Sequence, residues 1–116
     1  MKDRIQALVQ RVDQITADYF KKMNWIQPVP THRADYISDK WARIVVLEER
    51  NGTPQVSSVY CFVCLQDGYT KTLGPLKAGD IHKAASFKAP AKHARGSVLD
   101  ENFNNCLGPL GVAYLR

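Results

Sequence analysis

The side chains best suited to chemistry are concentrated in residues 77–97, called the basic segment below. Five cations there stand against the single acid Asp80, so the segment carries +4 of the chain's net charge of +5. Two of the three histidines, His82 and His93, lie in the same segment among small residues that let another surface approach the backbone. Backbone N–H groups of turns, surrounded by lysine and arginine, are what a phosphate group needs. The composition therefore predicts a site for an anion.

Within the basic segment, we expect a short helical turn to hold the ligand. Pro90 suits the first position of such a turn and Gly96 its left-handed end. Residues three apart lie on one face of a helix, so Lys92 and Arg95 would reach the same phosphate group. The alternative is a solvated basic loop whose lysines only aid solubility. The predicted ligand-binding residues are Lys83, Ser86, Lys88, Lys92, His93 and Arg95.

The two histidines of the basic segment offer a catalytic alternative. Two imidazoles beside cations could act as acid and base in the cleavage of a phosphodiester. The spacing of His82 and His93 matches no two-histidine signature, and no G-x-S-x-G, H-E-x-x-H or Walker motif occurs. We therefore predict non-enzymatic binding of a nucleotide-type anion, and a histidine-dependent phosphodiesterase stays as an alternative.

Single-stranded nucleic acid is the other alternative ligand. Its binding needs a basic groove with exposed aromatic rings on which bases stack. Phe87, between Ser86 and Lys88, could be such a platform, or its ring could anchor the segment to the core. The isoelectric point of about 9.2 is compatible with nucleic acid, whereas a net charge of +5 is modest for binding a polymer.

Cys61 and Cys64 match the C-x-x-C pattern of metal and redox sites, but the residues around them indicate a strand. Residues three apart in a strand point to opposite faces, so the two sulfur atoms diverge and cannot easily share a zinc ion. Only Cys106 remains as a third thiol. We expect buried, reduced thiols, no metal and no cofactor. Three cysteines without an export signal also favour the cytoplasm.

The first element that must support the basic segment is an amphipathic helix. Apolar side chains recur every three or four positions over residues 3–23, which is the spacing of one helix face. Two prolines then make residues 27–33 a linker between helix and sheet, and Tyr36 and Ile37 suit a short edge strand. A helix at a chain end could also pair between subunits, which leaves a homo-oligomer open.

A β-hairpin forms the centre of the predicted sheet. Residues 41–49 are rich in β-branched side chains, and the pair Asn51-Gly52 that follows is a strong hairpin signal. Pro54 is expected in the loop, outside the hydrogen-bonded ladder. The partner strand, residues 56–66, is apolar on both faces, so it should be a central strand that is covered on both sides.

Together these elements predict an α+β fold: an N-terminal amphipathic helix on a small, mainly antiparallel sheet, with an irregular basic segment and a short helical turn near the C-terminus. With 116 residues, 45% hydrophobic and 23% charged, the chain suits one domain, and no segment is long and apolar enough for a membrane. The predicted single domain, residues 1–116, comprises the helix (1–24), the hairpin sheet (34–73) and the basic loop with a C-terminal tail (74–116), including a possible last strand at 112–115.

Residues 79–97, with the sequence GDIHKAASFKAPAKHARGS, and the Gly-Pro-Leu-Gly at 108–111 resemble a group of small uncharacterised proteins encoded by tailed phages. The likeness covers about the last third of the chain. That group has no assigned activity, so the resemblance transfers no functional residues. A phage origin implies roles in host takeover, anti-defence or nucleic-acid housekeeping. By analogy with small phage proteins that sequester nucleotide immune signals without cleaving them, the resemblance suggests such a sponge.

Overall fold

A computed structural model of the chain describes residues 1–100 and 107–108. Its first element is helix α1 (Lys2–Lys22), as the apolar spacing predicted. Asp3 lies in the first turn and Lys21 and Lys22 in the last, where each charge opposes the helix dipole favourably. The apolar face is buried against the sheet through Ile5, Leu8, Val9, Val12 and Phe20.

Seven strands follow within the described residues, and five of them form one antiparallel sheet in the order β1-β2-β3-β6-β7. Strands β4 and β5 pair with each other as a separate two-stranded sheet. The helix on a mainly antiparallel sheet confirms the predicted α+β fold. The strands are β1 (Thr31–Tyr36), β2 (Trp41–Arg50), β3 (Thr53–Cys64), β4 (Gly68–Thr70), β5 (Gly74–Leu76), β6 (Asp80–Ala84) and β7 (Pro90–Ser97).

The β2–β3 hairpin turns at Asn51 and Gly52, as predicted. Both residues have positive φ, 54° and 78°, which is the backbone that a two-residue hairpin turn of the I′ type requires. The expectation for Pro54 was wrong, because Pro54 belongs to β3 and pairs with Glu49 of β2. The hairpin loop is therefore only two residues long.

Strand β3 is central, as its two apolar faces predicted. Cys61 and Val63 belong to the core under α1, whereas Phe62 and Cys64 alternate with them and point to the opposite face of the sheet, called the far face below. All four side chains are fully buried. The prediction of two buried thiols on opposite faces is confirmed, and burial raises the pKa of the Cys64 thiol.

Two predicted segments differ from the structure, and two further predictions concern residues that the structure does not describe. Residues 27–33 are not all linker, because β1 begins at Thr31. The basic segment is not irregular: it provides β6 and β7, which extend the main sheet over residues 80–97, whereas residues 74–76 form β5 of the separate sheet. The predicted last strand at 112–115 and Cys106 fall outside the described residues. Among those that are described, no helix is long and apolar enough to cross a bilayer.

The predicted helical turn from Pro90 to Arg95 was wrong, because these residues are part of strand β7. Local sequence favoured a turn that starts at proline, yet the segment pairs with β6 instead, with Ala94 opposite His82 and Gly96 opposite Ile81. Ladder hydrogen bonds with a neighbouring strand outweigh the weak preference of a helix shorter than two turns.

Candidate functional site

The basic segment folds into the β6–β7 hairpin, whose connection, residues 85–89, we call the arm. Arg43 of β2 holds the arm: its Nη1 donates a hydrogen bond of 3.1 Å to the carbonyl oxygen of Phe87, and its guanidinium lies 4.4 Å from the centre of the Phe87 ring. Ala42 and Ile44 flank Arg43 and belong to the core under α1, so Arg43 points to the far face. The arm therefore reaches back over that face from β6 to β2.

Beneath the arm, side chains of three neighbouring strands form a row across the far face. Arg43 pairs with Phe62, and Phe62 pairs with His82 of β6. Trp41 packs edge-on against this row, with its ring centre 6.2 Å from that of Phe62 and 5.2 Å from that of His82. These rings form a small second core that fixes the base of the hairpin.

His82 is buried in this row, with 2% of its surface exposed. Its Nδ1 lies 2.8 Å from the carbonyl oxygen of Ala91. A carbonyl oxygen can only accept, so Nδ1 carries the proton of this bond. The other ring nitrogen, Nε2, is buried and has no hydrogen-bonding partner within the part of the chain that the structure describes.

In the part of the chain that the structure describes, most of the buried polar atoms that lack a partner belong to residues of strands β2, β6 and β7. Across the described residues, five buried side-chain nitrogen or oxygen atoms lack a hydrogen-bonding partner, and four of these belong to Arg43, His82 and Arg95. They are Arg43 Nε, His82 Nε2, and Arg95 Nε and Nη1. Guanidinium nitrogens are always donors, and a buried donor without an acceptor costs about 1–3 kcal/mol or more when charged. An anion that accepted hydrogen bonds from the guanidinium nitrogens among these atoms would remove that cost for them.

Arg95 reaches its position through an irregularity of strand β7. Ile81 pairs with Gly96 and His82 with Ala94, so Arg95 is the extra residue of a β-bulge. Bulges redirect a side chain relative to the regular alternation of a strand. Arg95 follows Ala94, which pairs with His82. It therefore lies on β7, at the other end of the row that begins at Arg43 on β2.

The structure brings the six predicted ligand-binding residues onto one hairpin but not onto one helical face. Lys83 lies on β6 opposite Cys61, and Ser86 and Lys88 belong to the arm, where the Lys88 backbone N–H donates to Ser86 Oγ at 3.3 Å. On β7, Lys92 and His93 are exposed and Arg95 is half-buried. The shared helical face of Lys92 and Arg95 does not exist, because β7 is a strand.

Sequence reasoning missed Arg43, which lies about forty residues before the arm that it holds. The signal available was weak: in β2, Arg43 alternates with the buried Ala42 and Ile44, which marks it as a cation on a second face. The pairing of β2 with β3 and of β3 with β6 was needed to bring it to the arm. Phe87, expected as an anchor or a stacking platform, is held by Arg43 while 47% of its surface stays exposed.

The described residues contain no group of three or more histidine, cysteine or acidic side chains that could hold a metal ion. No curated protein and no solved structure matches the chain. One family model matches it over residues 3–109, a range that includes α1 except its first residue, the whole main sheet and the arm. The chain therefore belongs to the family of unknown function DUF7717.

Proposed function

We propose that the β6–β7 hairpin binds a phosphate-bearing ligand of nucleotide size without transforming it. The observation that supports this proposal is the set of buried guanidinium N–H groups on Arg43 and Arg95 that have no acceptor among the described residues. Phosphate oxygens accept hydrogen bonds from guanidinium groups in a planar, charge-assisted geometry. The exposed cations Lys88 and Lys92 would add attraction from the rim of the site.

A nucleotide suits this site better than a bare phosphate because of Phe87. Arg43 covers one part of the Phe87 ring, and nearly half of the residue is exposed to solvent. An exposed ring beside cations can stack on a base while the phosphate meets the arginines. Together with the resemblance to tailed-phage proteins, this suggests that the protein sequesters a nucleotide immune signal as an anti-defence sponge.

Single-stranded nucleic acid is the second candidate ligand, and the same exposed ring favours it. Phe87 lies next to Lys88 on the arm, and Lys92 and His93 are exposed on the adjoining strand. This arrangement could follow a phosphate backbone with one base stacked on Phe87. Among the described residues of the hairpin, however, Phe87 is the only aromatic ring other than the histidines, so only one base would have a platform.

The geometry disfavours a phosphodiesterase that uses His82 and His93 together. His82 is almost fully buried and its Nδ1 is committed to the Ala91 carbonyl, whereas His93 is exposed on β7. Acid–base catalysis needs both imidazoles within reach of the same substrate bond. Binding without cleavage is therefore the function that we propose.

A thermal-shift screen against cyclic and linear nucleotides, single-stranded DNA and RNA tests the proposal, followed by calorimetric titration of the strongest stabiliser. Arg95→Gln and Arg43→Gln should each weaken binding about tenfold to a hundredfold, the range for lost charge-assisted hydrogen bonds. The matched control is Arg11→Gln, an exposed arginine on α1. Binding that is equally strong in all three variants, or no stabilising nucleotide at all, would refute the site.

A second measurement separates binding from cleavage. The bound nucleotide should be recovered chemically intact when the protein is denatured after long incubation. Recovery of cleaved nucleotide from the wild type, with intact nucleotide from His93→Ala, would contradict sequestration and would support a phosphodiesterase.

A further inference from the structure

A cavity lies on the α1 side of the sheet, between the C-terminal half of α1 and strands β1, β2 and β3. We call it the α1 cavity; its volume is about 200 Å3. Phe20, Val46 and Val59 form apolar walls, and Thr16 and His32 add polar groups. A second hollow of about 220 Å3 adjoins it and shares Phe20, Pro30 and Glu48 with it; we call this hollow the mouth. Drug-sized ligands occupy roughly 300–1,000 Å3, so the α1 cavity suits a smaller molecule, of about one ring.

Thr16 provides an unused hydrogen-bonding group in the wall of the α1 cavity. Only 2% of its surface is exposed, and its Oγ1 is buried without a partner within the described part of the chain. Thr16 lines the cavity and does not line the mouth. A buried hydroxyl without a partner is unfavourable, and a ligand with a polar group at its inner end would correct this.

His32 is the second polar group of the wall, and a contact behind it fixes its orientation. Its Nδ1 donates to Asp13 Oδ1 at 2.7 Å, and its ring meets the Tyr60 ring edge-on at 5.4 Å between centres. Asp13 does not line the α1 cavity but borders a neighbouring hollow. The imidazole is therefore held rigidly as a wall, with a carboxylate directly behind it.

The charge around the α1 cavity is opposite to that of the β6–β7 hairpin. Glu48 lines both the cavity and its mouth, and Glu49 lines the mouth. Of the described residues that line the cavity, the mouth or the hollow at Asp13, none is lysine or arginine, although the chain as a whole carries +5. An apolar cavity whose opening is acidic selects a positively charged ligand with an apolar body.

We propose that the α1 cavity binds a small organic amine. Its ammonium group lies at Glu48 in the mouth, its apolar ring lies between Phe20 and Val46, and a polar group at the far end bonds Thr16 Oγ1. This site is independent of the anion site, because it lies on the α1 side of the sheet rather than on the far face.

Tyramine is the probe that carries all three features, and two analogues each lack one. Phenethylamine lacks the phenolic hydroxyl, and tyrosol has an alcohol in place of the ammonium group. Titration of 15N-labelled protein should shift the backbone amides of Thr16, His32 and Val46. Tyramine should bind about threefold to tenfold more tightly than either analogue, the range for one partly exposed ion pair or one hydrogen bond.

Two conservative variants test which side chain contacts the ammonium group of tyramine and which contacts its hydroxyl group. Glu48→Gln should remove the preference for tyramine over tyrosol, and Thr16→Val should remove the preference for tyramine over phenethylamine. Asp39→Asn, which changes an exposed carboxylate in the β1–β2 loop, should change neither preference. The 15N spectrum of each variant shows whether it is folded. Absence of tyramine binding to the wild type, equal affinity for all three probes, or shifts confined to the arm would overturn the proposal.

Discussion

Three arginines of the main sheet differ in whether their donors are satisfied. Arg33 of β1 places Nε 2.7 Å and Nη2 3.1 Å from the two carboxylate oxygens of Asp35, which is a complete bidentate pair. Arg43 uses one nitrogen for the Phe87 carbonyl and keeps a buried Nε without an acceptor, and Arg95 keeps two such nitrogens, among the residues described. Arg33 therefore has a structural role, whereas Arg43 and Arg95 retain capacity for a ligand.

The Arg33–Asp35 pair predicts a pH-dependent stability. The hydrogen bond from Arg33 lowers the pKa of the Asp35 carboxyl in the folded state. Its contribution is therefore present above the ordinary aspartate pKa of about 3.9 and is lost as the pH falls through the lower, folded-state value. Because Arg33 is half exposed, Asp35→Asn should cost only about 0.2–1 kcal/mol at about pH 7.

Urea unfolding of wild type and Asp35→Asn at about pH 7 and about pH 2 measures this difference. The two proteins should converge in stability at the lower pH. A cost that is the same at both pH values would mean that the Asp35 carboxylate is not what stabilises the fold, and Asp39→Asn serves as an exposed control.

The elements that could be predicted from sequence are those whose signals are local. The spacing of apolar residues over α1 and the Asn51-Gly52 turn each act within a few residues, so both predictions were correct. Strand β7 was missed because its conformation depends on pairing with β6, which outweighs the helical preference of Pro90. Arg43 was missed for the same reason, since only the sheet register brings it to the arm.

Substitution of Gly79, the glycine before β6, tests how the hairpin is joined to the rest of the sheet. Gly79 has φ of +94°, its N–H donates to the Cys64 carbonyl at 2.7 Å, and its carbonyl accepts from Val98 at 2.8 Å. A Cβ at this position would lie 2.8 Å from Leu99 Cγ and 2.9 Å from Ser97 Oγ. Gly79→Ala should therefore destabilise the protein through both backbone strain and crowding.

Gly52→Ala is the matched control, because Gly52 also has positive φ but its added Cβ would meet nothing within 4 Å. We expect a loss of about 1 kcal/mol for Gly52→Ala, from backbone strain alone, and about 2–3 kcal/mol for Gly79→Ala. Urea unfolding measures both values. Equal losses would show that the Ser97 and Leu99 side chains move away at no cost.

The two proposed sites, which lie on opposite sides of the sheet, differ in the charge that surrounds them. The β6–β7 hairpin carries most of the net positive charge, and the α1 cavity opens between carboxylates. A compact anionic ligand at the hairpin would therefore be surrounded by cations, and an amine in the α1 cavity would lie near carboxylates. The net charge of +5 is concentrated enough for one small ligand and offers few contacts to a long polymer.

Salt dependence distinguishes a nucleotide from a polymer. If Lys92 and Arg95 follow a nucleic-acid backbone, Lys92→Gln should lower affinity for every sequence and reduce the log–log salt slope by about one. For the compact ligand that we propose, Arg95→Lys should weaken binding clearly although it keeps the charge, because lysine lacks the planar donor pair. Two results together would favour a nucleic-acid polymer as the ligand: unchanged nucleotide affinity in Arg95→Lys, and a reduced log–log salt slope in Lys92→Gln.

The most direct measurement is 15N NMR of the arginine Nε–H groups during titration with the nucleotide that most raises the Tm in the screen. We expect the Nε–H signals of Arg43 and Arg95 to shift and to exchange more slowly with water, because both donors gain an acceptor. The Arg33 signal should stay unchanged, since its Nε already donates to Asp35. If the nucleotide binds while the Arg43 and Arg95 signals remain unchanged, the proposed anion site is contradicted.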